Sequence, residues 1–359
     1  MLDHIGLDVS YIKKAKEFSL ETLAKDTIKE IEKYLSDSDK GRLASTHPAF
    51  YYSDLFIHTN THCFYNRNIR KKTEKVQNFL LHVVHGEQYE VEEMLKQDLG
   101  LLLEDGIVKD YSNRKIKGTA FKIALGAGDT SMWKMVEEYF KQLPNGEEKK
   151  LKQFNEQFPE SYNENEHEKY DFNTLLHIIK SDPLIHNQCQ ITDVTKHALR
   201  AFREHFTPKS TDIITTGKHF DMQILIDALE AYDANFDIKK KDQEWNQRVL
   251  YCQQVIGYLE RLFPACDAQA CCQGFYNVVH KEEPLIRCLQ LMQSADYYYS
   301  ANLGYSHYIS SWENSGIRES CLDLTNRDLL KIYLNKKQQA WQKLRDTLSH
   351  KNQVACFQI

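Results

Sequence analysis

The side chains best suited to chemistry gather toward the C-terminal end of the sequence. Gly304-Tyr305-Ser306-His307-Tyr308, with Glu313, sets a hydroxyl, an imidazole and a carboxylate in one short stretch. Such a set serves nucleophilic or nucleotidyl-transfer chemistry when the three groups converge. Adjacent residues of a strand or helix point apart, so Ser306 and His307 need not share a site. Tyr297-Tyr298-Tyr299 and Trp312 nearby fit packing or a ligand surface equally well. Cys266-x4-Cys271-Cys272, with His280 and Cys288 downstream, is a partial metal-ligand pattern. Structural zinc needs four ligands, usually as two short-spaced pairs, and no clean second pair follows. Buried helix cysteines are the better reading, and no metal is expected. Lys239-Lys240-Lys241 reads as a solvated loop and not as a nucleic-acid contact. No phosphate-binding loop, dinucleotide fingerprint or H-E-x-x-H motif occurs, so no cofactor is expected.

The chain ends Cys356-Phe357-Gln358-Ile359, the C-a-a-X form of a prenylation site, although Gln358 sits where an aliphatic residue is preferred. An isoprenoid on Cys356 would give membrane affinity that the sequence otherwise lacks. One lipid anchors marginally, and Lys336, Lys337, Lys343, Arg345 and Lys351 are the cations available to assist it.

Composition narrows the elements that must position these groups. The chain has 359 residues, enough for two or three domains, with 42% hydrophobic and 27% charged residues. Seven prolines and fourteen glycines leave little punctuation for a β-rich fold. A net charge of -5 gives no basic field for nucleic acid. No stretch approaches the roughly 18 apolar residues of a membrane span. The N-terminus has no apolar run of the secretory kind, and nine irregularly spaced cysteines read as reduced thiols.

Between Leu23 and Phe56, the residues Leu23, Ile28, Ile31, Leu35 and Leu43 recur at near-helical spacing. Ser36-Asp37-Ser38-Asp39 offers a cap and a turn, and His47-Pro48 disfavours further helix. Two short helices are expected. Their order and spacing resemble the F-box, a helical hairpin that docks on the Skp-type adaptor of a cullin–RING ubiquitin ligase. Ala24 stands where that family usually has proline, and Lys40-Gly41 replace two apolar positions. The resemblance implies that Leu23, Ile28, Ile31, Leu35 and Leu43 organise the hairpin and its adaptor-facing surface.

Internal repeats follow. Thr119-Ala120-Phe121-Lys122-Ile123-Ala124, leading to Gly128-Asp129, resembles the core of an ankyrin repeat. Thr119 caps a first helix, Ala124 permits close approach, and Gly128 ends the helix with φ positive. Met132, Met135 and Val136 form the buried stripe of a second helix. Weaker starts appear at Phe79-Leu80-Leu81-His82-Val83-Val84 and Thr174-Leu175-Leu176-His177-Ile178-Ile179, with His82, His85 and His177 read as capping or core histidines. Starts near 79, 119 and 174 exceed the roughly 33-residue ankyrin period, so Leu99–Lys117 is expected as a long loop and Pro144–Lys169 as a polar insert. Further helices are expected at 197–206, 220–232, 242–263, 274–292 and 323–348.

The whole pattern resembles translocated effectors of Legionella-type intracellular bacteria, which combine a short F-box, degenerate ankyrin-like repeats and a helical C-terminal region. The expected fold is all-α: an F-box-like segment at 1–65, repeats at 76–190, a helical domain at 191–352 and a tail at 353–359. The resemblance implies an adaptor in a host cytosol that bridges a ubiquitin ligase and a host target, with membrane association through a prenylated Cys356 and no nucleic acid. Two alternatives stay open. One is an enzyme centred on Ser306, His307 and Glu313; the other is a repeat scaffold that binds no ligase.

Overall fold

The structure, a computed structural model, describes residues 62–163, 166, 169–183, 191–237, 244–287, 292–293, 308–309 and 324–356. The chain divides into Met1–Lys75 and Val76–Ile359. Of the first unit, the described part is the start of helix α1 (His62–Val84), and the remaining elements belong to the second.

Helix dominates the described residues, with a few short strands. After α1 come α2 (Gln88–Gln97), a 3-10 turn (Leu99–Leu103), and a hairpin of β1 (Gly106–Lys109) and β2 (Lys115–Gly118). Then follow α3 (Ala120–Ala127), α4 (Thr130–Phe140) and α5 (Gly146–Gln157). The stretch expected as a long loop is therefore a built hairpin, registered Gly106↔Gly118 through Lys109↔Lys115. Its tip closes because the Asp110 carboxylate accepts from the backbone of Ser112 and Arg114, and Asn113 takes φ 67. The stretch expected as a polar insert contains α5. This helix is polar in sequence yet buries Lys150, Gln153 and Gln157, because each finds a partner. Lys150 pairs with Glu137 at 2.7 Å and Glu147 at 3.1 Å. Gln153 donates to Leu102 O and accepts from Thr119.

The second half holds α6 (Phe172–Lys180), α7 (Asp193–Phe206), a two-residue β3 (Ile213–Ile214) and α8 (Gln223–Asn235). α9 (Trp245–Tyr251) runs through a π-helical turn (Cys252–Ile256) into α10 (Gly257–Glu260). α11 (Ala265–Gln273) and α12 (Phe275–Val279) follow, then strands β4 (Met292–Gln293) and β5 (Tyr308–Ile309), and the long α13 (Leu324–Cys356). Of the helix expected at 274–292, α12 is present. Residues 280–287 are not helical; Glu282 has φ 55, and Pro284 disfavours a helix through the residue before it. β3 extends the hairpin sheet in parallel, Lys115↔Ile213 and Ile116↔Ile214.

Two apolar cores form. One gathers Phe79, Leu80, Phe121, Met132, Trp133, Val136 and Phe140 around α1 to α5. The other gathers Leu176, Leu199, Phe202, Leu225, Tyr251 and Phe263 around α6 to α11, and it takes in the third repeat start. α13 serves both: Leu330 and Tyr333 enter the second core, and Leu344 and Leu348 enter the first. At 33 residues it is about 50 Å long, enough to brace the two.

Candidate functional site

The turn between α3 and α4 is built as its residue types require. Thr119 accepts from Lys122 N at the start of α3, and Gly128 ends that helix at φ 66. Asp129 then caps α4 by accepting from Met132 N at 3.0 Å. The same carboxylate also binds Arg287, which donates to both of its oxygens at 2.7 Å as a bidentate pair. Beside it, Asp267 of α11 accepts from Tyr333 at 2.9 Å and from Lys337, both on α13. Lys337 also reaches Ala127 O at 3.4 Å.

Two carboxylates and two cations thus neutralise each other in a mostly buried junction of α3, α4, α11 and α13. Burial opposes the charge on Lys337, but Asp267, with Cys266 and Asp129, outweighs it and the ammonium pKa is raised. Burial works likewise against Arg287, and Asp129 holds its pKa up. Burial, with Asp267 next, pushes the Cys266 thiol and the Tyr333 phenol well above their ordinary ranges. Cys266 therefore stays a thiol and is no nucleophile at neutral pH.

A cleft of about 590 Å³ opens between the end of α7, residues 209–221 and β2. Arg114 in its wall binds Asp110 at 2.7 Å and donates to His219 O at 2.7 Å. His219 N donates to Gly126 O at 2.8 Å, and Gln157 and Gly217 exchange two hydrogen bonds. The imidazole of His219 lies so close over α3 that a Cβ at Gly126 would meet its Nε2 at 2.2 Å. Burial, then the Arg114 charge, lowers the His219 pKa to about 3. The ring is neutral at physiological pH and too weak a base for proton transfer there. The imidazole is packed on α3, and the rim of the cleft carries Lys209, Lys218, Asp212 and Asp221.

No protein-family model, curated protein or solved structure matches the chain.

The F-box-like residues Leu23, Ile28, Ile31, Leu35 and Leu43 lie outside the described residues, as do Ser306, His307, Glu313 and Lys239 to Lys241. α13 runs to Cys356, so the backbone at 353–356, expected as tail, is helical; residues 357–359 are not described. Cys266 and Cys272 are buried and Cys271 partly so. Among the described residues no three His, Cys, Asp or Glu side chains are grouped to hold a metal. His177 is exposed and not a core residue, whereas His82 pairs with Glu87 and His85 stacks on Tyr111 at 4.2 Å. Of the cations expected to assist a lipid, Lys337 is taken up by Asp267, and Lys336 by Val279 O and Glu282. No helix among the described residues is long and apolar enough to cross a membrane.

Sequence reasoning missed Arg287 and Asp267.

Proposed function

We propose that the chain is an adaptor that holds a ubiquitin ligase and a target together and leaves the chemistry to the ligase. The observation that carries this reading is a turn repeated along the chain. α1 and α2 are joined through Gly86 at φ 73 followed by Glu87; α3 and α4 through Gly128 at φ 66 followed by Asp129. After α6 the connection is longer and has no left-handed residue at Ser181, but the Asp182 carboxylate accepts from Thr192 N at 2.9 Å and Oγ1 at 2.7 Å where α7 begins. Helix, left-handed glycine turn, acid and second helix thus occur twice, with the β-hairpin between the two copies. This supports an ankyrin-like array, whose stacked helix pairs present a continuous protein-binding face. The interior charges are matched in pairs, which favours a binding scaffold over a poised catalytic centre.

The ligase half of the proposal rests on the F-box resemblance of residues 23–56. Bridging raises the effective concentration of target at the ligase without a chemical step in this chain. A prenyl group on Cys356 would add a membrane address, assisted by the exposed Lys343 and Arg345. The effector resemblance sets this in a host cytosol. The deciding experiment is a pull-down with purified Skp-type adaptor, comparing the parent with Ile31→Asp/Leu35→Asp. Capture of the parent and loss in the folded variant is expected. No capture at tens of micromolar would demote residues 23–56 to a structural cap.

A further inference from the structure

The sheet of β1, β2 and β3 turns one face to the first core and the other to solvent. Val108 and Ile116 are buried on the inner face, and Ile214 packs there beside them. The registers Ile107↔Lys117, Lys109↔Lys115 and Lys115↔Ile213 place the alternate residues together on the outer face. That face is therefore Ile107, Lys109, Lys115, Lys117 and Ile213. The alternation that buries Val108 and Ile116 leaves two isoleucines outside, each 43% exposed.

Its charges are one-sided, in a chain whose net charge is -5. Among the described residues no carboxylate pairs with Lys109 or Lys115. Lys115 donates to Ser210 O at 2.5 Å, which holds the side chain in place but leaves its charge uncompensated. Lys117 lies 3.9 Å from Asp105, and both are exposed, so solvent screens the pair. Asp110 at the hairpin tip is taken up by the buried Arg114.

We propose that this face docks on an anionic lipid surface, with Lys109, Lys115 and Lys117 at the phosphates and Ile107 and Ile213 entering the boundary beneath them. The mixture of side chains selects the occupant. A nucleic-acid backbone would match the lysines but bring nothing apolar to the isoleucines, and none of the five residues is an aromatic on which a base could stack. An acidic peptide would bind a sheet by adding a strand. At the outer edge of β1, however, His85 lies against the Lys109 backbone, and β3 at the other edge is two residues long. A lipid leaflet is flat, negatively charged and apolar just below its phosphates, so it meets both kinds of side chain at once. Lysine stems bend to keep their ammonium groups at the phosphates while the isoleucines go deeper. The contact rests neither on the ligase reading nor on a lipid at Cys356. It is the second signal that a single prenyl group needs, and one that the engaged Lys336 and Lys337 are poorly placed to give.

The test uses the full chain carrying Cys356→Ser, so that no prenyl group contributes. It is floated with phosphatidylcholine vesicles and with vesicles containing about 30% phosphatidylserine. Saturable binding to the phosphatidylserine vesicles alone is expected, weakening as salt rises. Lys109→Gln/Lys117→Gln, at two exposed positions, should bind about 30-fold more weakly, roughly 5-fold for each lysine lost. Ile107→Thr/Ile213→Thr keeps β-forming residues and the salt dependence but should bind about 3- to 10-fold more weakly. In Ile107→Trp the added indole, read as a difference from the parent, should shift its emission to the blue on phosphatidylserine vesicles. No flotation at millimolar lipid overturns the proposal, as does full binding by the lysine variant. Undiminished binding by the threonine variant, with an unshifted indole, also overturns it, because the face would then be a bare anion contact.

Discussion

At the scale of single residues, the chain buries charge in matched pairs, and the pairing can be tested at two places. Lys337→Met leaves Asp267 mostly buried with the Tyr333 hydroxyl and no counter-charge. A loss of about 3–5 kcal/mol is expected in urea unfolding. The double variant Asp267→Asn/Lys337→Met should recover much of it, and a single-variant loss under about 1 kcal/mol would show the pair to be idle. The second place is His219, buried beside the Arg114 charge. Its folded pKa, about 3, lies below the ordinary value of 6.5, so protons bind the unfolded chain more readily. Its contribution is complete above 6.5 and is lost as the pH falls from there toward 3. His219→Gln should flatten the stability curve across that window by at most about 1.4 kcal/mol per pH unit, measured as the difference between parent and variant at pH 7 and pH 5. Neither feature was legible beforehand. Asp129 meets Arg287 across 158 positions and Asp267 meets Lys337 across 70, and helical periodicity carries no information over such separations.

At the scale of elements, what was legible had a local cause. The boundaries of α3 and α4 follow from Thr119, Gly128 and Asp129, each acting on backbone groups within a few positions. The β-hairpin and α5 were not legible, because G-I-V-K-D-Y-S-N-R-K-I-K-G and G-E-E-K-K-L-K-Q-F-N-E-Q carry little apolar alternation of either period. Tertiary partners make these segments ordered: Leu102 and Thr119 for Gln153, Ile213 and Ile214 for β2. Two glycine turns allow a graded test. Gly86→Ala meets its nearest neighbours at 3.3 Å, so left-handed strain of about 1–3 kcal/mol is the main cost. Gly128→Ala has the same strain and also drives a Cβ to 2.6 Å from Lys337 Cε, disturbing the Asp267 pair. Gly128→Ala should therefore lower Tm more than Gly86→Ala in a melt followed by circular dichroism. Equal falls would mean that the Lys337 stem simply swings aside.

At the scale of the whole molecule, α13 decides whether the two cores hold together. A chain stopped after His350 retains Leu330, Tyr333, Leu344 and Leu348 and should melt as the parent does. One stopped after Asn335 loses Lys337, Trp341, Leu344 and Leu348; exposure of the first core, read as dye binding and early melting of part of the signal, is expected. Because α13 follows every other described element in sequence, it also sets an order of events. During synthesis the earlier helices emerge with a face of each core still open, and neither seals until α13 has left the ribosome. Mechanically the same helix is a ripcord: force applied at its far end withdraws Leu348 and Leu344 first, then Lys337 from Asp267, then Tyr333 and Leu330. A machine that unthreads the chain from that end would meet its resistance early and in one place, and would find both cores open afterwards.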